Sequence, residues 1–166
     1  IVDPCDALDT YQATKAIAAH EGPVYMRLLR GNVPSVLQDY DYEFELGKAK
    51  LLRDGKDVLF ISSGFMTMRT LEAAKDGIDC AVLHCPTIKP LDVETILAEC
   101  RKEGRLVVTA ENHSIIGGLG EAVATQLMVN GVTPAFRMVG LPDEFLDAGA
   151  LPVLHDQYGI STEAVI

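Results

Sequence analysis

Arg105 to Gly120, RLVVTAENHSIIGGLG, is the stretch whose reading decides the fold. Leu106-Val107-Val108 is an apolar run of the kind a buried strand uses. It ends in a polar group, Glu111-Asn112-His113-Ser114, and Gly117, Gly118 and Gly120 then open a helical segment that runs to Asn130. A strand that hands polar residues to a glycine turn before a helix places chemistry at the carboxyl edge of a parallel sheet, where open α/β folds hold ligands.

Outward from this unit the pattern repeats. Ala49 to Leu52 reads as a short strand, Val58 to Ile61 and Ala81 to His84 as apolar strands, and Phe136 to Val139 as another. Helical patterns run from Met68 to Lys75, Leu91 to Arg101 with Asp92 as N-cap, and Leu151 to Tyr158. Strands alternating with helices predict an α/β fold with three layers, a mostly parallel sheet and helices on both faces. The tight turn at Asp54-Gly55 leaves no room for a crossover helix, so the first two strands are expected to pair antiparallel. Upstream, Asp9 to His20 is helical in pattern and Val24 to Leu29 reads as a strand. The acidic stretch from Ser35 to Phe44 reads as an interdomain linker. A lone helix and strand build no core, so the first thirty residues are expected to be the end of another domain.

Composition narrows the functions. The 166 residues carry a formal net charge of -10, which argues against nucleic acid and anionic membranes as partners. No apolar run approaches the ~20 residues of a membrane-spanning helix. Cys5, Cys80, Cys85 and Cys100 show no C-x-x-C pair and no zinc spacing, which reads as free thiols in a reducing, cytoplasmic setting. The chain opens at Ile1 without Met and stops at Ile166 just after Ser161-Thr162-Glu163 begins a helix, so it is expected to be part of something longer.

Each candidate residue has two readings. Gly117-Gly118-Leu119-Gly120 is neither a dinucleotide fingerprint nor a P-loop. It is either an anion site built on free N–H groups or a turn that brings helix and sheet close together. His113, with Glu111 and Ser114 beside it, is either a tuned acid–base group or a polar surface that bonds a neighbouring domain. Arg27 and Arg30 bracket a strand end, as a phosphate clamp or as salt bridges to the acidic linker. Ser63 lacks the nucleophile-elbow pattern. Asp3-Pro4 reads as a turn carboxylate with no catalytic role.

Three stretches together resemble the C-terminal part of the transketolase family of thiamine diphosphate enzymes. They are Gly22 to Asn32 (GPVYMRLLRGN), Thr87 to Asp92 (TIKPLD) and Glu111 to Gly120 (ENHSIIGGLG), with the tail Tyr158 to Ala164 also similar. The resemblance covers essentially the whole chain. It implies that residues 1–34 end a pyrimidine-binding domain, 35–46 link, and 47–166 form a C-terminal domain with a five-stranded mixed sheet holding one antiparallel strand. It implies two-carbon ketol transfer between sugar phosphates, with thiamine diphosphate and Mg²⁺ in the parent enzyme and none expected on this fragment alone. Arg30, followed by Gly31-Asn32, matches an arginine that binds the phosphate of the substrate, with Arg27 as a further candidate. The acidic group that activates the cofactor lies upstream of Ile1, so the fragment is expected to be inactive by itself. It would serve dimerisation and domain packing, as a homodimer or as a heterotetramer with a diphosphate-binding subunit, and Glu111, His113, Ser114, Gly117 and Gly118 would face a domain neighbour. The alternatives are a 1-deoxyxylulose-5-phosphate synthase-like parent and a stand-alone anion- or nucleotide-binding module.

Overall fold

The computed structural model describes residues 1–75 and 77–165. The expected domain end at Ile166 lies outside them. Five strands form one sheet: β1 (Lys50–Arg53), β2 (Val58–Ser62), β3 (Cys80–His84), β4 (Leu106–Ser114) and β5 (Ala135–Leu141). Their order is β1-β3-β2-β4-β5, with β1 antiparallel to β3 and every other pair parallel. This is the expected three-layer α/β fold with one antiparallel strand.

The helices are α1 (Ala7–Ala18), α2 (Phe65–Ala73), α3 (Val93–Cys100), α4 (Leu119–Val129), α5 (Leu151–Gln157) and α6 (Thr162–Val165). Period-two alternation splits the strands between two cores. Leu59 and Ile61 of β2, Ala81 and Leu83 of β3 and Val107 of β4 pack with Ile96, Leu97, Leu119 and Val123 under α3 and α4. Phe60, Val82, Val108 and Ala110 turn the other way, against Met66 and Leu71 of α2 and Val165 of α6. The chain therefore winds from β2 to β3 on one side, then crosses back past β2 to β4. The reversal leaves a switch-point crevice between the carboxyl ends of β2 and β4.

Two strand expectations are corrected. β1 does not pair with β2, because β3 lies between them. The turn after β1 instead crosses the start of β3, where the N–H groups of Lys56 and Asp57 both donate to Asp79 O, at 3.1 and 2.8 Å. The strand expected at Val24 to Leu29 is one bridge, Val2 to Met26. A strand needs a ladder of partners. Among the described residues only Val2 runs beside this segment, with Val2 N donating to Tyr25 O and Arg27 N to Val2 O.

The segment from Ser35 to Phe44 is irregular apart from one 3-10 turn, Leu37–Asp39. Leu37, Tyr42 and Phe44 are nevertheless buried with Val2, Cys5, Ala13 and Met68 in a third core, the joint between the first helix and the sheet domain. A buried polar network crosses that joint. Asp9 and His84 are both fully buried. His84 Nε2 lies 2.9 Å from Asp9 Oδ2, and Tyr42 Oη donates to Asp9 Oδ1 at 2.6 Å. Cys5 N also donates to Asp9 Oδ2. On the other side of the ring, His84 Nδ1 sits 2.7 Å from Thr67 Oγ1, which is 3.0 Å from Ser62 Oγ. Burial pushes the Asp9 carboxyl upward, but the bonds and charge from His84, with the Tyr42 hydroxyl and Cys5 N–H, more than offset this and hold it below the ordinary value.

This pair fixes α1 to β3, and its loss leaves a buried charge without a partner. Asp9→Ala is expected to lower stability by about 3–5 kcal/mol in urea unfolding. Asp9→Ala combined with His84→Ala should cost clearly less than the sum of the two single changes. Because the folded carboxyl titrates below its unfolded value of about 3.9, its contribution is complete above that pH. It is lost as pH falls towards the depressed folded value. An acid titration of stability should show that limb in the wild type and lose it in Asp9→Ala.

Candidate functional site

The switch-point crevice is where a ligand is expected, and the chain itself fills both of its polar seats. The first seat is at the end of β2. Gly64 has φ +54, and the carboxylate of Asp3 stands where a Cβ on Gly64 would have to go. Gly64 N donates to Asp3 O at 3.0 Å, and Ser63 Oγ donates to Asp3 Oδ2 at 2.8 Å. Arg27 Nη2 donates to the same Oδ2 at 2.8 Å. Asp3 N in turn donates to Pro86 O after β3. Asp3 is thus not a turn residue. Burial raises its carboxyl, opposed by the charge of Arg27 and the bond from Ser63.

The second seat is the glycine turn after β4. Glu111 is 1% exposed and points under the start of α4. Its Oε2 accepts from Leu119 N and its Oε1 from Gly120 N, both at 2.8 Å. Its carboxylate occupies the space that a Cβ on Gly118 would need, which is why glycine stands there. Gly117 N donates to Glu121 Oε2 at 2.7 Å. Orphan N–H groups at a helix N-terminus attract anions, and here carboxylates of the same chain take them. Burial raises the Glu111 carboxyl against the pull of these N–H groups.

The predicted site residues separate accordingly. Glu111 turns inward, under the start of α4. Gly118 packs against the Glu111 carboxylate, while Gly117 is exposed with φ +72 and its N–H is engaged by Glu121. β4 continues through Ser114, so the polar group is the strand's own end. His113 Nδ1 donates to Ser114 O at 2.9 Å and stays 3.8 Å from Glu111, too far for a hydrogen bond. The ring is 41% exposed, so its free edge faces outward. Ser114 Oγ accepts from Ile116 N within the turn. Arg27 is committed to Asp3. Arg30 is exposed, in the loop that follows Arg27. Asn112, Arg27, Leu29 and Phe65 line a cleft of about 310 Å³ beside Asp3.

Asp6 and Asp9 were not singled out by sequence reasoning, His84 was read only as a strand end, and Asp3 and Ser63 were weighed only as a turn carboxylate and as a residue without the nucleophile-elbow pattern. The legible signal was Ser62-Ser63-Gly64 at the end of an apolar strand, a polar tip with glycine that demands a partner. The four cysteines are free and buried, and burial pushes the Cys100 thiol up to about 11, which makes it a poor nucleophile.

At the glycine turn the chain's own carboxylates stand where the oxygens of a diphosphate group would. The N–H groups of Gly117, Leu119 and Gly120, which could cradle phosphate oxygens, are engaged by Glu121 and Glu111. Among the described residues no three His, Cys, Asp or Glu side chains gather as metal ligands. No described helix is long and apolar enough to cross a membrane.

Residues 47–165 match the transketolase C-terminal domain family. A transketolase family protein of Sinorhizobium fredii is 71% identical over 171 residues, covering 100% of this chain and 50% of that protein. The 6-deoxy-6-sulfo-D-fructose transketolase subunit of a Clostridium species is 41% identical over 170 residues, covering 100% of this chain and 52% of that subunit. A solved structure described as a split gene transketolase, inactive beta4 tetramer, superposes with a TM-score of 0.87 at 40% identity, over 99% of this chain and 53% of that one. The chain spans about half the length of these relatives.

The Glu111 clasp is expected to be worth about 1–3 kcal/mol, the cost of leaving buried donors unmade. Glu111→Ala should lower the thermal midpoint and speed amide exchange at Leu119 and Gly120. If those two amides stay as protected as in the wild type, the clasp is not what caps α4.

Proposed function

This chain belongs to the transketolase family, and we propose that it is the C-terminal half of a split-transketolase subunit. The assembled enzyme transfers two-carbon ketol units between sugar phosphates. The reading is supported above all by the end-to-end match to proteins of which this chain is half. Higher identity to the transketolase subunit and the split-gene neighbour, 41% and 40%, than to 1-deoxyxylulose-5-phosphate synthases at 35% and 34% favours a split enzyme. Two closed seats at the sheet edge count against a stand-alone nucleotide-binding module.

In this reading residues 1–34 close the pyrimidine-binding domain, 35–46 join it to the next, and 47 onward form the C-terminal domain. Thiamine diphosphate and Mg²⁺ bind elsewhere, between the missing part of the subunit and a diphosphate-binding partner subunit. The cofactor supplies the electron sink for cleaving the ketose. This chain supplies packing, subunit association and one substrate contact, Arg30. The guanidinium is a planar five-donor fork that matches an anionic tail. Arg30 is exposed and has no salt bridge among the described residues, while Arg27 is held by Asp3. A relative named for a sulfo sugar supports an anionic sugar tail as the feature recognised. The description of the split-gene neighbour as an inactive beta4 tetramer supports a need for the second subunit.

The test uses the complete subunit mixed with its diphosphate-binding partner, thiamine diphosphate and Mg²⁺. With xylulose 5-phosphate and ribose 5-phosphate, ketol transfer is expected, and the 166-residue chain alone should give none. Absence of transfer from the full assembly would sink the substrate assignment. Arg30→Ala should lower kcat/KM for the phosphorylated acceptor by about 10- to 150-fold, the equivalent of ~1.5–3 kcal/mol for a charged hydrogen bond.

A further inference from the structure

The loop that carries Arg30 is tied down at both ends by the first six residues. Asp3 Oδ2 holds the Arg27 guanidinium, three residues before Arg30. Asp6 Oδ2 accepts from Val36 N and Leu37 N, at 2.8 and 2.9 Å, six and seven residues after it. Between those anchors, residues 28–35 make no hydrogen bond among those of the described residues, and Leu28 is 60% exposed. The loop spans a cleft of about 630 Å³ floored by Pro4, Asp6, Ala7 and Thr10. Among the described residues its hydrogen-bonded ties are therefore the two aspartates at its ends.

Asp3 is in turn fixed from the sheet domain. Ser63 Oγ shares its Oδ2, Gly64 N holds its carbonyl, and its own N–H is held by Pro86 O. The path runs from the carboxyl ends of β2 and β3, through Asp3, to Arg27 and the loop. Each step is a hydrogen bond of 2.8 to 3.0 Å.

We infer that Asp3 is a positioning residue for substrate-phosphate recognition: it indexes the Arg30 loop to the C-terminal domain through Arg27 and Ser63. This rests on the reading of Arg30 given above. It gives the C-terminal domain a part in specificity although it touches no substrate. Three residues reach at most ~10 Å, so slack at Arg27 is passed to Arg30 with little to absorb it. A misplaced binding group weakens the oriented complex.

The experiment uses the complete two-subunit enzyme and two acceptors, ribose 5-phosphate and ribose. The readout is the ratio of their KM values, with kcat followed alongside. Arg30→Ala is the reference. Asp3→Asn keeps the size but removes the charge that holds Arg27. It is expected to raise KM for ribose 5-phosphate at least fivefold, with KM for ribose changed less than twofold. Ser63→Ala, which leaves the Arg27 pair intact, should shift the same ratio in the same direction by a smaller factor. If Asp3→Asn does not assemble, Ser63→Ala decides by the same ratio. Equal losses on both acceptors, or none, while Arg30→Ala is phosphate-selective, would overturn the inference and leave the Arg30 reading standing. If Arg30→Ala is itself not selective, the Arg30 reading fails. A selective loss in Asp3→Asn alone would then overturn the inference in this form and move the phosphate contact to Arg27.

Discussion

A single carboxylate oxygen, Asp3 Oδ2, takes hydrogen bonds from Arg27 on one side and Ser63 on the other. It sits in the crevice that an open α/β sheet ordinarily keeps for a ligand. The consequences run through the molecule. The crevice becomes a socket, the first segment becomes its plug, and α1 is delivered to β3, where Asp9 meets His84. Glu111 does the same at the neighbouring glycine turn, for α4. Both carboxylates stand where a substrate anion stands in other folds of this architecture. The charge that would otherwise be recognised from solution is built into the chain.

Much of this was legible in the sequence. Apolar runs of strand length, Asp92 before α3 and the glycines before α4 gave the layers and their order. The one antiparallel strand followed from the short turn at Asp54-Gly55. Its partner did not, because pairing is decided by which strand lies alongside, and β3 enters between β1 and β2 from far along the chain. The single bridge at Met26 follows the same rule: β-propensity describes a residue's fit to a sheet, and among the described residues only Val2 lies beside it.

The site was harder to read. Glu111, Gly117 and Gly118 were picked out together, but the sequence could not say that the carboxylate would serve the turn rather than a ligand or a neighbour. An i to i+8 contact such as Glu111 to Leu119 depends on how the helix folds back. Asp3, Asp6 and Asp9 lie in a short acidic run that looks like solvated turns and caps. Only the fold brings them to Ser63, Val36 and His84, which are 60, 30 and 75 residues away. Long-range polar pairs between unlike elements leave no periodic trace. They were found through burial, where an unpaired charge would be too costly to keep.

The most direct test of a sheet edge closed from within is amide hydrogen exchange at Gly64, Leu119 and Gly120, with and without inorganic phosphate in excess. The account predicts slow exchange at all three amides with no ligand added and no change when phosphate is present. Fast exchange that slows on adding phosphate would contradict it, and would mean that the crevice is an open anion site after all.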